Sequence, residues 1–381
     1  MLRRSLALAA AMLVALAAPV AAAPAAETVL PAYGAGALRA EWLADFPLGV
    51  DDLGRMSQAN IGMYRARFRQ DEVQQGGVFT GWTRLDNLAR QAAYKGVTLE
   101  PVLINMPGEV YAPPKTQTAR TSFASFAEAA ARRYGPTGSF WTNWNRDSCA
   151  CPGRPIRVWE VWNEPNLAPF WDVPNATEYA ALLTATKARL RRVDRGARIL
   201  FGGLAYPSSL SSTKLDPNAF LRDAITAAGW KSFDALALHD YRPDVNVAVN
   251  KIAGTVATLK TYGGVDAAGS PRHQVWVNEF GRPTAPDDPA TPEDEAVSSE
   301  QAQAAWLNTF VDKAEANRAA WNLGPLMWYS LRDSHAPTAS WLRQGLRRTN
   351  ADDTDGGAKA SWGAYTARSA AAPLLNLPVA R

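Results

Sequence analysis

A chain of 381 residues with 47% apolar content can bury a large core, as one big α/β barrel or as two medium domains. Its formal charge of +4 is scattered, and no basic run interleaves with aromatics, which argues against nucleic acid as a partner. Two cysteines in the tripeptide Cys149–Ala150–Cys151 and three histidines far apart offer no metal-ligand spacing, so neither a metal nor another cofactor is expected.

The N-terminus reads as an export signal. Arg3 and Arg4 precede the apolar run SLALAAAMLVALAAPVAA, and small residues from Ala22 to Ala26 suit a signal peptidase. The run is short for a membrane span. Residues 1–26 are therefore expected to be cleaved, leaving 27–381 as an exported single domain without a membrane anchor. In an oxidising compartment the two cysteines would pair as a local clip.

A rhythm of short apolar runs and amphipathic stretches follows, which predicts βα units. YGAGAL (33–38) is a weak first strand, and residues 50–62 read as a helix with Leu53 and Met56 three apart. MYRARFRQDEV (63–73) reads as the second strand, with Arg65, Arg67 and Arg69 alternating onto one face, any of which could be a buried charge partner. A helix over 82–96, stopped by Gly96, leads to a third strand, VTLEPVLIN, that ends on Asn105. A helix over 122–135 precedes RVWEVWNEPN (157–166), the fourth strand, and a long helix covers 176–193. The fifth and sixth strands, 197–205 and 233–241, each precede a helix, at 216–229 and 247–263. HQVWVNEFG (273–281) is the seventh strand, and the acidic, Pro-rich stretch 284–297 is an exposed loop. A capping box from Ser298 to Gln301 opens the next helix, GPLMWYSLRD (324–333) is the eighth strand, and the last helix starts at 359. Eight strands with intervening helices predict a closed (β/α)₈ barrel of the TIM type.

In such a barrel the carboxyl ends of the strands face the active site. Glu164 and Glu279 stand at those ends of apolar strands four and seven, each preceded by asparagine. A carboxylate there is costly unless something uses it or satisfies it. One alone would be read as a hydrogen-bonded barrel residue. Two suit glycosidic cleavage, in which one carboxyl protonates the departing oxygen and the other attacks the anomeric carbon. Asn105 and Asp333, at the ends of strands three and eight, are candidate hydroxyl ligands. The 14 tryptophans are either core filling or sugar platforms, and Phe170 and Trp171 divide the same way.

WNEPN (162–166) and NEFG (278–281), with RRYGPTGSFW (132–141), HDY (239–241) and WYSLRD (328–333), resemble the clan of retaining barrel glycosidases that includes cellulase family 5 and xylosidase family 39, most of all bacterial family-39-like endoglycosidases. The resemblance implies a carbohydrate substrate, Glu164 as acid/base and Glu279 as nucleophile. It implies Asn163 as the ligand of the sugar 2-hydroxyl and Tyr241 as the hydrogen-bond partner of the nucleophile. His239 takes the place of the clan histidine, Arg65 that of the arginine beside the nucleophile, and Trp328 that of the indole beneath the sugar. Asp240 stands where relatives often carry proline, and Asn278 where many carry threonine. The expected reaction is hydrolysis by double displacement, with transglycosylation on the same residues or a non-catalytic sugar-binding barrel as the alternatives.

Overall fold

The computed structural model describes residues 28–36, 52–142, 144, 151–284, 299–334, 343–350, 354–372 and 374–377. The signal-like stretch 1–26, Cys149 and nearly all of the loop 284–297 lie outside them. Cys151 is disulfide-bonded.

Eight parallel strands close into a barrel: β1 (Tyr33–Gly36), β2 (Met63–Arg69), β3 (Thr98–Ile104), β4 (Val158–Val161), β5 (Arg198–Ala205), β6 (Ala235–Asp240), β7 (Gln274–Phe280) and β8 (Leu323–Tyr329). Each pairs with its neighbours in sequence, and β8 returns to β1 through Leu326 opposite Tyr33. The helices that follow the strands in turn are α1 (Asp52–Gln58), α2 (Thr83–Lys95), α3 (Gln117–Tyr134), α4 (Ala176–Val193), α5 (Pro217–Ala228), α6 (Val245–Gly263), α7 (Glu300–Ala316) and α8 (Ala360–Ala370). The (β/α)₈ barrel expected from the sequence is the fold observed. No described helix is long and apolar enough to cross a membrane.

Local chemistry sets the helix ends. Side-chain oxygens of Thr116, Asn175, Asp216, Asp244 and Ser299 accept from backbone N–H groups in the first turns of α3 to α7. Gly96 stops α2 at φ 71°, a left-handed conformation that costs glycine little. The α7 cap is Ser299, one residue beyond the expected Ser298. Two strands are shorter than their apolar runs suggest. The chain after Arg69 turns into a short helix, Gln70–Val73, and β4 stops at Val161, three residues before Glu164.

Two cores result. The larger lies between strands and helices, where outward-facing Phe68, Trp159, Phe201 and Phe280 meet the helical faces. The smaller fills the lower barrel with Met63, Val158, Leu200, Ala235, Ala237, Trp276 and Met327. Leu30, on a strand (Thr28–Pro31) paired antiparallel with Leu374–Leu377, joins this plug. Above the plug the barrel interior turns polar.

Candidate active site

Glu164 reaches the barrel mouth through a strained turn. Trp162 and Glu164 have φ of 73° and 41°, left-handed values uncommon for residues with a side chain. Both neighbouring strands hold the turn, since the Trp162 N–H donates to the Leu103 carbonyl and the Glu164 N–H to that of Gly203, each at 3.0 Å. Asn166 pins the next residues, donating to the carbonyls of Ala205 and Leu215 at 2.9 and 3.0 Å.

Glu279 comes from β7 by a different device. The register against β6 shifts between Val277 and Glu279, a bulge that turns two successive side chains inward. Asn278 points to the barrel floor, where its amide donates to Glu100 and Glu160 at 3.0 and 3.1 Å. Glu279 points to the mouth.

Arg65 joins the two levels. Its Nε donates to Glu160 at 2.6 Å, Nη1 to Glu279 at 2.5 Å and Nη2 to the Asn163 side-chain oxygen at 2.8 Å. Of the three arginines on that strand face, Arg65 is the buried partner. Arg67 lies over the Tyr111 ring, 5.8 Å from its centroid, and Arg69 pairs with Asp71 and Glu109. The second oxygen of Glu160 accepts from the Gly203 N–H at 2.9 Å. Gly203 must be glycine for another reason, because a Cβ there would fall 1.9 Å from the Nε2 of His239.

His239, on the inward face of β6, and Tyr241, one residue beyond the strand's end, complete the mouth. His239 Nδ1 lies 2.7 Å from a Glu164 oxygen and 3.5 Å from a Glu279 oxygen, and the Tyr241 hydroxyl donates to Glu279. One oxygen of each glutamate and a ring nitrogen of His239 fall within 4.8 Å of one another. Glutamate and histidine can also ligate metals, but protein groups already hydrogen-bond these atoms, and the fixed charge of Arg65 sits beside one carboxylate.

The two glutamates titrate in opposite directions. Burial raises the pKa of Glu164 and the charge of Glu279 adds to the rise, only partly offset by the hydrogen bond and charge of His239. Burial also works against ionised Glu279, but His239, Arg65 and the Tyr241 hydroxyl outweigh it and hold the group below the usual carboxylate range. His239 is disfavoured as a cation by burial, yet the carboxylates of Glu279 and Glu164 keep its pKa above the ordinary value.

Of the residues singled out from sequence, Glu164, Glu279, Arg65, Asn163, His239 and Tyr241 form one hydrogen-bonded cluster. Asn105 stands apart, its amide donating to the Ala112 carbonyl at 3.4 Å. Asp333 is tied to Lys359 at 2.8 Å. Trp328 corrects an expectation. It is fully buried, packs on Phe280, Trp306 and Tyr365, and donates to the Gln344 carbonyl at 2.7 Å. Strand alternation explains this: with Met327 in the barrel plug, Trp328 must face the helices, and Tyr329 turns inward, 6.0 Å from the Tyr241 ring. Trp171 is likewise buried, and Phe170 packs on Tyr111. The sequence reading missed the floor residues Glu100 and Glu160. Their signal was present, since both interrupt apolar strands that need no charge.

No family model matches the sequence, and no curated protein sequence does either. Solved structures do. A family 39 glycoside hydrolase from Bacteroides cellulosilyticus is similar with TM-score 0.61 and 17% identity, over 90% of this chain and 64% of that one. The chain thus spans just under two thirds of that protein. A family 39 β-xylosidase from Caulobacter crescentus matches with TM-score 0.61 and 17% identity, over 94% of this chain and 76% of that one. The family 53 catalytic domain of Ignisphaera aggregans gives TM-score 0.57 and 16% identity, over 90% and 99% of the respective chains. The fold is that of these glycoside hydrolases.

Proposed function

We propose that this protein is a secreted glycoside hydrolase that cleaves O-glycosidic bonds of a poly- or oligosaccharide with retention of configuration. The observation that carries the reading is the pair Glu164 and Glu279, close enough for oxygens of each to lie within 4.8 Å and set in opposite electrostatic surroundings. A separation near 5–5.5 Å leaves no room for a water between the carboxyls and the sugar, as roughly 6.5–9.5 Å would.

Neutral Glu164 donates its proton to the glycosidic oxygen as that bond breaks. Ionised Glu279 attacks the anomeric carbon and forms a glycosyl ester. Glu164, now a carboxylate, takes a proton from water as the water attacks the same carbon and releases Glu279. Arg65 and Tyr241 aim the nucleophile, and His239 orients the acid. Asn163, fixed by Arg65, is placed to hold a hydroxyl of the bound sugar. The N-terminal leader pattern supports export, and sequencing the N-terminus of exported protein tests it.

A screen of plant, bacterial and fungal polysaccharides, with Glu279→Ala as the inactive control, tests the activity. Proton NMR of the first product formed tests the stereochemistry. An inverted anomer, or wild-type turnover by Glu279→Ala, removes the mechanism.

A further inference from the structure

A cavity of about 350 Å³ opens beside Glu164. Its walls come from three connections: the β4–α4 segment at Leu167 and Pro169, the β5–α5 segment from Ala205 to Ser208 with Lys214, and the end of β6 from His239 to Pro243. The walls are braced. Leu167 bridges Lys214, and the Ala168 N–H donates to the Thr213 carbonyl at 2.8 Å. Glu164 lines the cavity and Glu279 does not. In double displacement the acid stands over the departing oxygen, so a cavity lined by the acid and not by the nucleophile suits the leaving half of the substrate.

The lining of this cavity is lopsided. Tyr206, Pro207, Pro169 and Leu167 offer faces for a sugar ring, while among the polar side chains Lys214 and Arg242 only donate and Glu164 is the one carboxyl. Apart from Glu164, the proposed acid, the lining contains no carboxyl or side-chain amide, the groups that usually accept from hydroxyls of a neutral sugar. Lys214 forms no ion pair among the described residues. Arg242 spends Nη2 on the Tyr206 and Pro207 carbonyls, 3.2 Å away, and its buried Nε has no hydrogen-bond partner. Asp240 accepts from the Arg242 backbone N–H at 2.9 Å, and no hydrogen bond joins it to the guanidinium, though the Arg242 charge acts on it. The cavity therefore presents two cations without a carboxylate on either guanidinium or ammonium.

We infer that the leaving half of the glycan carries an anionic group, a carboxylate or a sulfate, which Arg242 and Lys214 bind in this cavity. The inference rests on the glycosidase reading and narrows its substrate class to acidic glycans.

The test uses aryl glycosides of whichever sugar the enzyme accepts, with phenols of matched pKa that differ only in a distal methyl, carboxylate or sulfonate group. The expected kcat/KM is about ten- to a hundredfold higher for one of the acidic phenols than for the methyl one, the range of a charge-assisted hydrogen bond. The carboxylate and sulfonate arms tell the two anions apart. The ratio should fall toward one in 0.5 M salt and in Arg242→Gln, and about threefold in Lys214→Gln. Lys214 is exposed, so that variant reports even where the arginine variant does not fold. An acidic-to-neutral ratio of one or less in the wild type, or a ratio untouched by both substitutions, overturns the inference while leaving the glycosidase reading intact. Failure to cleave any glycoside in the screen removes the reading and the inference with it.

Discussion

The barrel holds two pairs of glutamates one above the other, Glu100 with Glu160 at the floor and Glu164 with Glu279 at the mouth. The pairs are alike in electrostatics. In each, burial and a neighbouring carboxylate push one member up, Glu100 far above its usual range and Glu164 less so, while the other member lies on Arg65. They differ in access. The floor glutamates are fully buried beneath Arg65 and Asn278, whereas Glu164 and Glu279 keep 8% and 7% of their surface exposed. A perturbed carboxyl pair is thus not a catalytic one by electrostatics alone, and reach to a ligand makes the distinction.

The largest effects should follow from touching the mouth. Glu279→Gln should lower kcat on the order of 10⁴-fold with every substrate, because the proposed nucleophile is lost. Glu164→Gln should cost roughly 10²–10⁴-fold on natural glycosides and much less on activated aryl glycosides, whose phenols leave without a proton. Equal losses on both substrate types in Glu164→Gln would deny it the acid role. Glu164→Gln should not weaken the fold by more than about 1 kcal/mol, whereas Glu279→Gln also takes an anion from buried Arg65 and should cost stability as well as activity.

The floor should respond in the opposite sense. Glu160→Gln takes away the carboxylate that accepts from Arg65, Asn278 and Gly203, leaving a buried guanidinium with one anion instead of two. The expected loss is about 3 kcal/mol in urea unfolding, with kcat reduced near tenfold as Arg65 loosens its hold on Glu279. A fully stable Glu160→Gln protein would erase the contrast between the two levels.

Asp240 offers an intermediate case, buried like the floor and adjacent to the mouth. Burial raises its pKa to about 6, against opposing contributions from the Arg242 N–H and charge and from Lys251. A carboxyl whose folded pKa exceeds its unfolded value gives full stability below the unfolded value and loses it as pH rises through the folded one. Wild-type stability should therefore fall between about pH 4 and pH 6 from this group, by about 3 kcal/mol, and Asp240→Asn should abolish that slope. Denaturant midpoints at pH 4 and pH 7.5 for both proteins measure it.

His239 serves the mouth alone, and its removal should shift a profile rather than the fold. The cation lowers the pKa of Glu279 and, through its hydrogen bond and charge, that of Glu164. The wild-type kcat/KM profile should be a bell whose acid limb is Glu279 and whose alkaline limb is Glu164. In His239→Asn both limbs should move to higher pH, and a profile that stays in place would show the ring to be only packing.

The barrel and the glutamates at its mouth were legible in the sequence because strand patterning and the Asn-Glu dipeptides act over short distances, whereas Arg65, Asn163, His239 and Tyr241 were picked out through the resemblance to retaining barrel glycosidases. The exact ends of β4 and β7 were not. At β4 the strand stops early, and tertiary bonds from Leu103 and Gly203 hold the Trp162–Glu164 turn in a conformation its residue types do not favour. At β7 a bulge lets Asn278 and Glu279 both face inward, which strict alternation forbids. Trp328 was misplaced by the reverse error, a motif overriding alternation on a strand where alternation holds. Glu100 and Glu160 went unread because the pattern of a single strand does not reveal that charges from three strands meet.

The smallest expected effect is the sharpest probe of the floor. Glu100 accepts from Asn278 through one oxygen, and its other oxygen is buried with no donor facing it. Burial and the Glu160 charge push its pKa well above the usual value, and in the protonated form that idle oxygen becomes an O–H donor toward Glu160. Glu100→Gln then substitutes one neutral group for another of the same shape, with an amide N–H in place of the acid proton. Stability near pH 7 should change by less than about 1 kcal/mol, against the several lost in Glu160→Gln. The sign should turn in alkali. A raised carboxyl loses its contribution as pH climbs through the folded pKa, and glutamine does not titrate, so the variant should become the more stable protein there. A large loss at pH 7 would mean that Glu100 is ionised and that the floor carries one more negative charge than its neighbours can accommodate.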